Sequence, residues 1–155
     1  MNYSNLASES FKDVVKVLSG LDLGEPGYQE TSINSIQDWL DCTSFMTMRG
    51  NKLFLFFAIS ADQKALQTMY LKLFNEHLNS VNSDAGDLLG EVCNQTAGRI
   101  KTKLSPNGHT FDMCSPVVVF GNNVRVRNLA DLSGALYTFN QEEGKTNIFV
   151  HFQEL

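Results

Sequence analysis

The most constraining feature of the sequence is a change of hydrophobic period near residue 105. Before it, long segments repeat their apolar residues at helical spacing. After it, apolar residues fall into short runs and alternations separated by turn residues. Helices gathered in the first two-thirds, with strands following, do not fit an alternating βαβ order. They predict an α+β fold, an antiparallel sheet with long helices packed on one face. The 155 residues are read as one domain over 1–155, long enough to bury a core without disulfide or metal staples.

Several elements can be placed along the chain. Phe11, Val14, Val15 and Leu18 predict a helix over 10–18, ended by Gly20. Residues 20–36, with Gly24, Pro26 and Gly27, read as a long loop. Thr43–Met48 and Leu53–Ile59 flank Arg49-Gly50-Asn51-Lys52 as a hairpin, and the continuous apolar character of the second run predicts a central strand covered on both faces. Ser60 with Gln63 suggests a capping box opening a helix to about Leu78, followed by a break over 79–83. Ser83 is the expected N-cap of a further helix to about Leu104, stopped by Ser105-Pro106-Asn107-Gly108. Strands are expected at 110–114, 117–120, 124–126, 135–139 and 148–152, with turns at Gly121-Asn122-Asn123 and Glu143-Gly144-Lys145.

Charge and composition narrow the function. Twelve Lys and Arg against seventeen Asp and Glu leave a net charge of -5, which argues against nucleic-acid binding. The longest apolar stretch, 53–59, is too short to cross a bilayer, and the first residues lack a signal-peptide pattern. Cys42, Cys93 and Cys114 are an odd number without paired spacing, so a reducing, cytoplasmic setting is expected. His77, His109 and His151 are scattered without metal-ligand spacing. Cys93 reads as a small core residue and Trp39 as a core anchor. Asn94-Gln95-Thr96 matches a glycosylation acceptor, but the segment reads as helix. Gly20, Gly24 and Gly27 form no phosphate cradle, because no strand is expected before them and Pro26 interrupts.

The segment 87–104 carries the functional signal. At about 100° per residue, Leu88, Leu89, Val92, Cys93, Thr96, Ala97, Ile100 and Leu104 occupy one half of a helix. Asp87, Glu91, Asn94, Gly98 and Lys101 fall on the opposite half, in a stripe on the order of 80° wide. Glu91 and Asn94, three apart, are neighbours on the surface. Gly90 and Gly98 each cost about 1 kcal/mol relative to Ala in a helix interior. Close approach of another macromolecule is one physical reason to carry that cost. By itself, the same pattern also describes an ordinary solvated helix.

The run Asp87-Leu-Leu-Gly-Glu91-Val-Cys-Asn94-Gln-Thr-Ala-Gly98-Arg99-Ile-Lys101 resembles the signature helix of the CheX/CheC family of chemotaxis phosphatases. That pattern is an acidic residue or Ser, three residues, Glu, two residues, Asn, and a Pro some twenty residues on. Here 21 residues separate Asn94 from Pro116, one fewer than the family spacing, which places a small indel in the Ser105–Gly108 turn. Ser115-Pro116-Val-Val-Val-Phe-Gly121 also fits. The resemblance is strong over 85–121 and weak elsewhere.

The resemblance implies a CheC-like fold and dephosphorylation of a phosphorylated CheY-type response regulator. Asn94 would orient the attacking water and Glu91 would pair with the partner's active-site Lys, with Asp87, Gly98 and Lys101 in the docking surface. It implies no cofactor in this chain, Mg²⁺ being held by the partner receiver domain. Some relatives carry a second Glu-x-x-Asn in their N-terminal half. The first helix here has no such spacing, so one site per chain is expected, as in CheX, together with a homodimer through sheet edges. Two alternatives stand beside this: a receiver-binding module without hydrolysis, and a structural dimer domain whose polar stripe is merely solvated.

Overall fold

The structure is a computed structural model that describes every residue except Met1, Asn2, Asp38 and Asn122; of Ser4 only the backbone is described. In chain order the elements are helix α1 (Tyr3–Ser19), strands β1 (Gly27–Ser32), β2 (Cys42–Gly50) and β3 (Leu53–Ala61), helices α2 (Gln63–Phe74) and α3 (Ser83–Leu104), then strands β4 (Phe111–Met113), β5 (Val117–Phe120), β6 (Ser133–Gln141) and β7 (Gly144–Glu154). Short 3-10 turns occupy Ile33–Ser35 and Ser105–Asn107.

The strands form one seven-stranded sheet in the order β1-β6-β7-β3-β2-β4, with β5 also paired to β2. Every pairing is antiparallel. The outer side of β2 is shared: β4 lies along Met48–Gly50 and β5 along Cys42–Phe45. That arrangement brings β5 beneath α3.

Period-two alternation in β3 explains its central position. Leu53, Leu55, Phe57 and Ile59 face the helices, while Phe56 and Ala58 face the other side. The helix side holds the larger core. Phe11, Val14 and Val15 of α1, Leu66 and Met69 of α2, and Leu89, Val92, Ala97 and Ile100 of α3 pack there. Burying a side chain of this size contributes roughly 1.5–3 kcal/mol, and three apolar helix stripes meeting one sheet face account for the layering. The opposite face is not bare. Ile33, Ile36, Trp39, Ala58 and Phe149 form a second cluster, with Val124, Val126 and Leu132 packed against it. Trp39 is a core anchor as expected.

Several expectations are corrected. The 20–36 segment contains β1, an edge strand paired to β6 from Gly27 to Ser32. Val124–Val126 forms no strand; it covers the outer sheet face instead. Helix α2 ends at Phe74, where Asn75 turns left-handed (φ 56°) and donates its N–H to the Leu71 carbonyl. Its N-cap is Asp62, which accepts from the Ala65 N–H at 2.8 Å, so Ser60 opens no capping box; Ser60 bonds Thr43 within the sheet. Likewise Asn82, not Ser83, caps α3. The expected turn at Gly121-Asn122-Asn123 includes Asn122, which lies outside the described residues.

Candidate functional site on α3

Helix α3 is held at both ends. The Asn82 side-chain oxygen accepts from the Asp84 and Ala85 N–H groups at 3.0 and 3.3 Å. This satisfies donors that an uncapped first turn leaves open, and Asp84 sits at the positive end of the helix dipole. At the other end Lys101 and Lys103 lie in the last turn, and Lys103 pairs with Asp13 of α1 at 3.2 Å. Leu88, Leu89, Val92, Cys93, Thr96, Ala97, Ile100 and Leu104 are all buried, as the wheel predicts. The one polar member, Thr96, donates its hydroxyl to the Val92 carbonyl at 2.7 Å, so its oxygen is not buried without a partner.

The opposite stripe faces outward. Asp87, Glu91 and Lys101 are exposed, and Asn94 and Gly98 are half-buried. Neither Asp87 nor Lys101 forms an ion pair with another described residue. Glu91 Oε1 accepts a hydrogen bond from Gln95 Nε2 at 2.8 Å. The Asn94 side chain makes no hydrogen bond to another described residue, which leaves both its carbonyl and its amide hydrogens available to solvent or a ligand. Carboxylate and carboxamide therefore stand one turn apart on a stiff helix. Charge is graded along α3, with Asp84, Asp87 and Glu91 toward the start and Arg99, Lys101 and Lys103 toward the end.

Three glycines have three different surroundings. A Cβ on Gly86 would overlap Cζ of Phe120 and lie 2.8 Å from its Cε1. The absent side chain lets the Phe120 ring lie on the helix. A Cβ on Gly90 would lie 3.6 Å from Val118 Cγ2 and 3.8 Å from Pro116 Cγ. Gly90 is buried beneath β5, so it is not a surface gap for a partner, contrary to expectation. Gly98 has nothing within 4 Å of such a Cβ and lies on the polar stripe, as expected. Through Gly90, Pro116 comes beside the turn that precedes Asn94. The distant proline of the sequence pattern is thus brought to the same flank of the helix.

Sequence reasoning did not single out Gln95 or the Gly86–Phe120 contact. The four-residue spacing from Glu91 was the available signal for Gln95. Nothing in the local sequence signals which ring covers Gly86, because that depends on how β5 pairs with β2.

Burial pushes the Cys93 thiol up to about 12, and pushes Cys42 up to about 11 with help from the nearby Asp41 carboxylate. Both thiols are protonated near neutrality and make poor nucleophiles. Among the described residues no group of three or more His, Cys, Asp or Glu could hold a metal ion. No described helix is long and apolar enough to cross a membrane.

Residues 42–140 match the family described as chemotaxis phosphatase CheX. Among curated proteins none matches. Among solved structures, the chemotaxis protein CheX from Vibrio vulnificus is similar at 23% identity and a TM-score of 0.85, over 99% of this chain and 100% of that one. A CheC-like superfamily protein from Shewanella sp. PV-4 is similar at 25% identity and a TM-score of 0.84, over 99% of each chain. A CheX–CheY–BeF3–Mg²⁺ complex from Borrelia burgdorferi matches at 17% identity and a TM-score of 0.73, again over 99% of each chain. These likenesses agree with the α+β layering, and with the family match spanning well over half of the sequence, the chain belongs to the chemotaxis phosphatase CheX family.

Proposed function

We propose that this chain, as one domain, hydrolyses the aspartyl-phosphate of a CheY-type response regulator. The observation that carries the reading is the outward pair on α3: an exposed Glu91 beside an Asn94 whose amide has no partner among the described residues. Asn94 enters the partner's active site and orients a water for in-line attack on phosphorus. A carboxamide suits this role, because it can accept from the water and donate to a phosphoryl oxygen while carrying no charge to repel either. Its contribution is positional: it fixes the water in the attack geometry, which lowers the entropic part of the barrier. Glu91 pairs with the partner's active-site Lys and so couples recognition to delivery of Asn94. Asp87, Gly98 and Lys101 extend the docking stripe. The phosphoaspartate and its Mg²⁺ belong to the partner, and this chain contributes no cofactor. That a CheX of Borrelia burgdorferi forms a complex with CheY supports the choice of partner class. A homodimer through exposed sheet edges completes the proposal.

The test is phosphate release from phosphorylated receiver domains encoded in the same genome, with and without this protein. Asn94→Ala should return decay to the spontaneous rate while the variant still binds the receiver. Glu91→Lys should lose binding and turnover together. Stable receiver binding by the wild-type chain with unaltered phosphate decay would select the non-catalytic binding module instead.

A further inference from the structure

Glu91 does not stand alone on its stripe. Gln95, one turn further along α3 and half-buried, donates from Nε2 to Glu91 Oε1 at 2.8 Å. Resting on the docking role of Glu91 set out above, we infer that Gln95 is a positioning residue for partner recognition. It fixes the Glu91 carboxylate in one orientation and leaves the second oxygen, which has no partner among the described residues, for the cation of the docking protein.

Two physical points support this. A glutamate on a helix surface samples many rotamers, and docking must freeze them; a bond already in place removes part of that entropic cost before the encounter. The chemistry of the donor matters as well. A lysine four residues after a glutamate would form an ion pair with it, and its ammonium would compete with the partner's lysine for the same carboxylate. An amide donates a hydrogen bond without neutralising the charge. Glu91 is therefore held by a donor that brings no competing cation of its own.

The experiment measures two quantities for the wild-type chain, Gln95→Met, Glu91→Gln and the double variant. One is steady-state phosphate release from a phosphorylated receiver. The other is Kd for the same receiver activated by beryllofluoride and Mg²⁺, which reads docking without hydrolysis. Methionine keeps the length and helix propensity of glutamine but has no donor. Gln95→Met should raise KM and Kd roughly five- to tenfold, the size of a typical net intramolecular hydrogen bond, and leave kcat within about twofold. On the Glu91→Gln background the same change should add less than about twofold, because the group it positions has lost its charge. Unchanged KM and Kd in Gln95→Met, or an undiminished loss on the Glu91→Gln background, overturns the inference. If Asn94→Ala loses turnover and Glu91→Gln loses affinity while Gln95→Met is silent, only the role of Gln95 is wrong. If the wild-type chain neither binds nor dephosphorylates any receiver, the docking role of Glu91 fails and that of Gln95 fails with it.

Discussion

Replacing the three glycines of α3 by alanine, one at a time, makes opposite demands on the same helix. In an exposed helix interior alanine is favoured over glycine by about 1 kcal/mol, and none of Gly86, Gly90 or Gly98 has a positive φ that would forbid the change. At Gly98 the added methyl meets nothing within 4 Å, so the full propensity gain should appear. For a chain of this length 1 kcal/mol corresponds to roughly 2–4 °C in Tm. At Gly90 the methyl makes ordinary contacts at 3.6 and 3.8 Å with Val118 and Pro116, and a similar gain is expected. At Gly86 the methyl collides with the Phe120 ring, which is 45% exposed and can swing outward. Displacing it forfeits the ring's packing on the helix and costs about 1–3 kcal/mol as overpacking. The net effect should lie between neutral and about 2 kcal/mol of destabilisation. Urea melts with a common m-value would give the order Gly98→Ala and Gly90→Ala above wild type, Gly86→Ala at or below it. If Gly86→Ala stabilises as much as Gly98→Ala, the stated packing of Phe120 on α3 is wrong. On the docking role proposed for the stripe, the stabilised Gly98→Ala should also bind a receiver more weakly; unchanged affinity would remove Gly98 from that surface.

Other outcomes can be checked on the isolated protein. Asn82→Ala removes the cap of α3 and should cost about 1 kcal/mol by urea melting; an unchanged midpoint would mean the two N–H groups find other acceptors. A thiol reagent at pH 8 should label Cys114, the exposed cysteine, rapidly and leave Cys42 and Cys93 unlabelled until the protein unfolds. Burial raises the Cys93 pKa and so disfavours its thiolate, and Cys93 should label far more slowly than Cys114 in the folded protein. Phe57→Ala empties a fully buried position on β3 and should destabilise by about 3–5 kcal/mol in the same melts. Gly144→Ala meets a positive φ of 122° and a Cβ 2.6 Å from the Asp62 carboxylate, so it should be less stable than wild type in a thermal melt.

How much was legible beforehand depended on where the information lies. Helix α3 and its two faces could be read because burial on that helix follows local periodicity, and each of its eight predicted inward residues is buried. Strands β2 and β3 were readable for a similar reason, being long, apolar and joined by a short turn. Strand β1 was not. Its residues Gly-Tyr-Gln-Glu-Thr-Ser are polar and mostly exposed, and only pairing with β6 makes them a strand. Val124-Arg125-Val126 alternates like a strand, yet the apolar side chains serve a loop that covers the outer sheet face. The overlong α2 followed from apolar residues continuing to Leu78. The helix stops at Asn75, and Leu78 is buried separately, its carbonyl accepting from the Gln67 side chain at 2.9 Å. The stripe itself was visible, but the reason for Gly90 was not, because β5 reaches α3 only through tertiary pairing.

The separation of the two faces of α3 has a consequence for evolution. Residues that anchor the helix and residues that meet the outside world share no positions. If the outward stripe is the docking surface proposed above, variation at Asp87, Gly98 or Lys101 would retarget the protein among related regulators with little penalty to folding. Descendants with such a surface would diversify in whom they recognise while inheriting an unaltered scaffold.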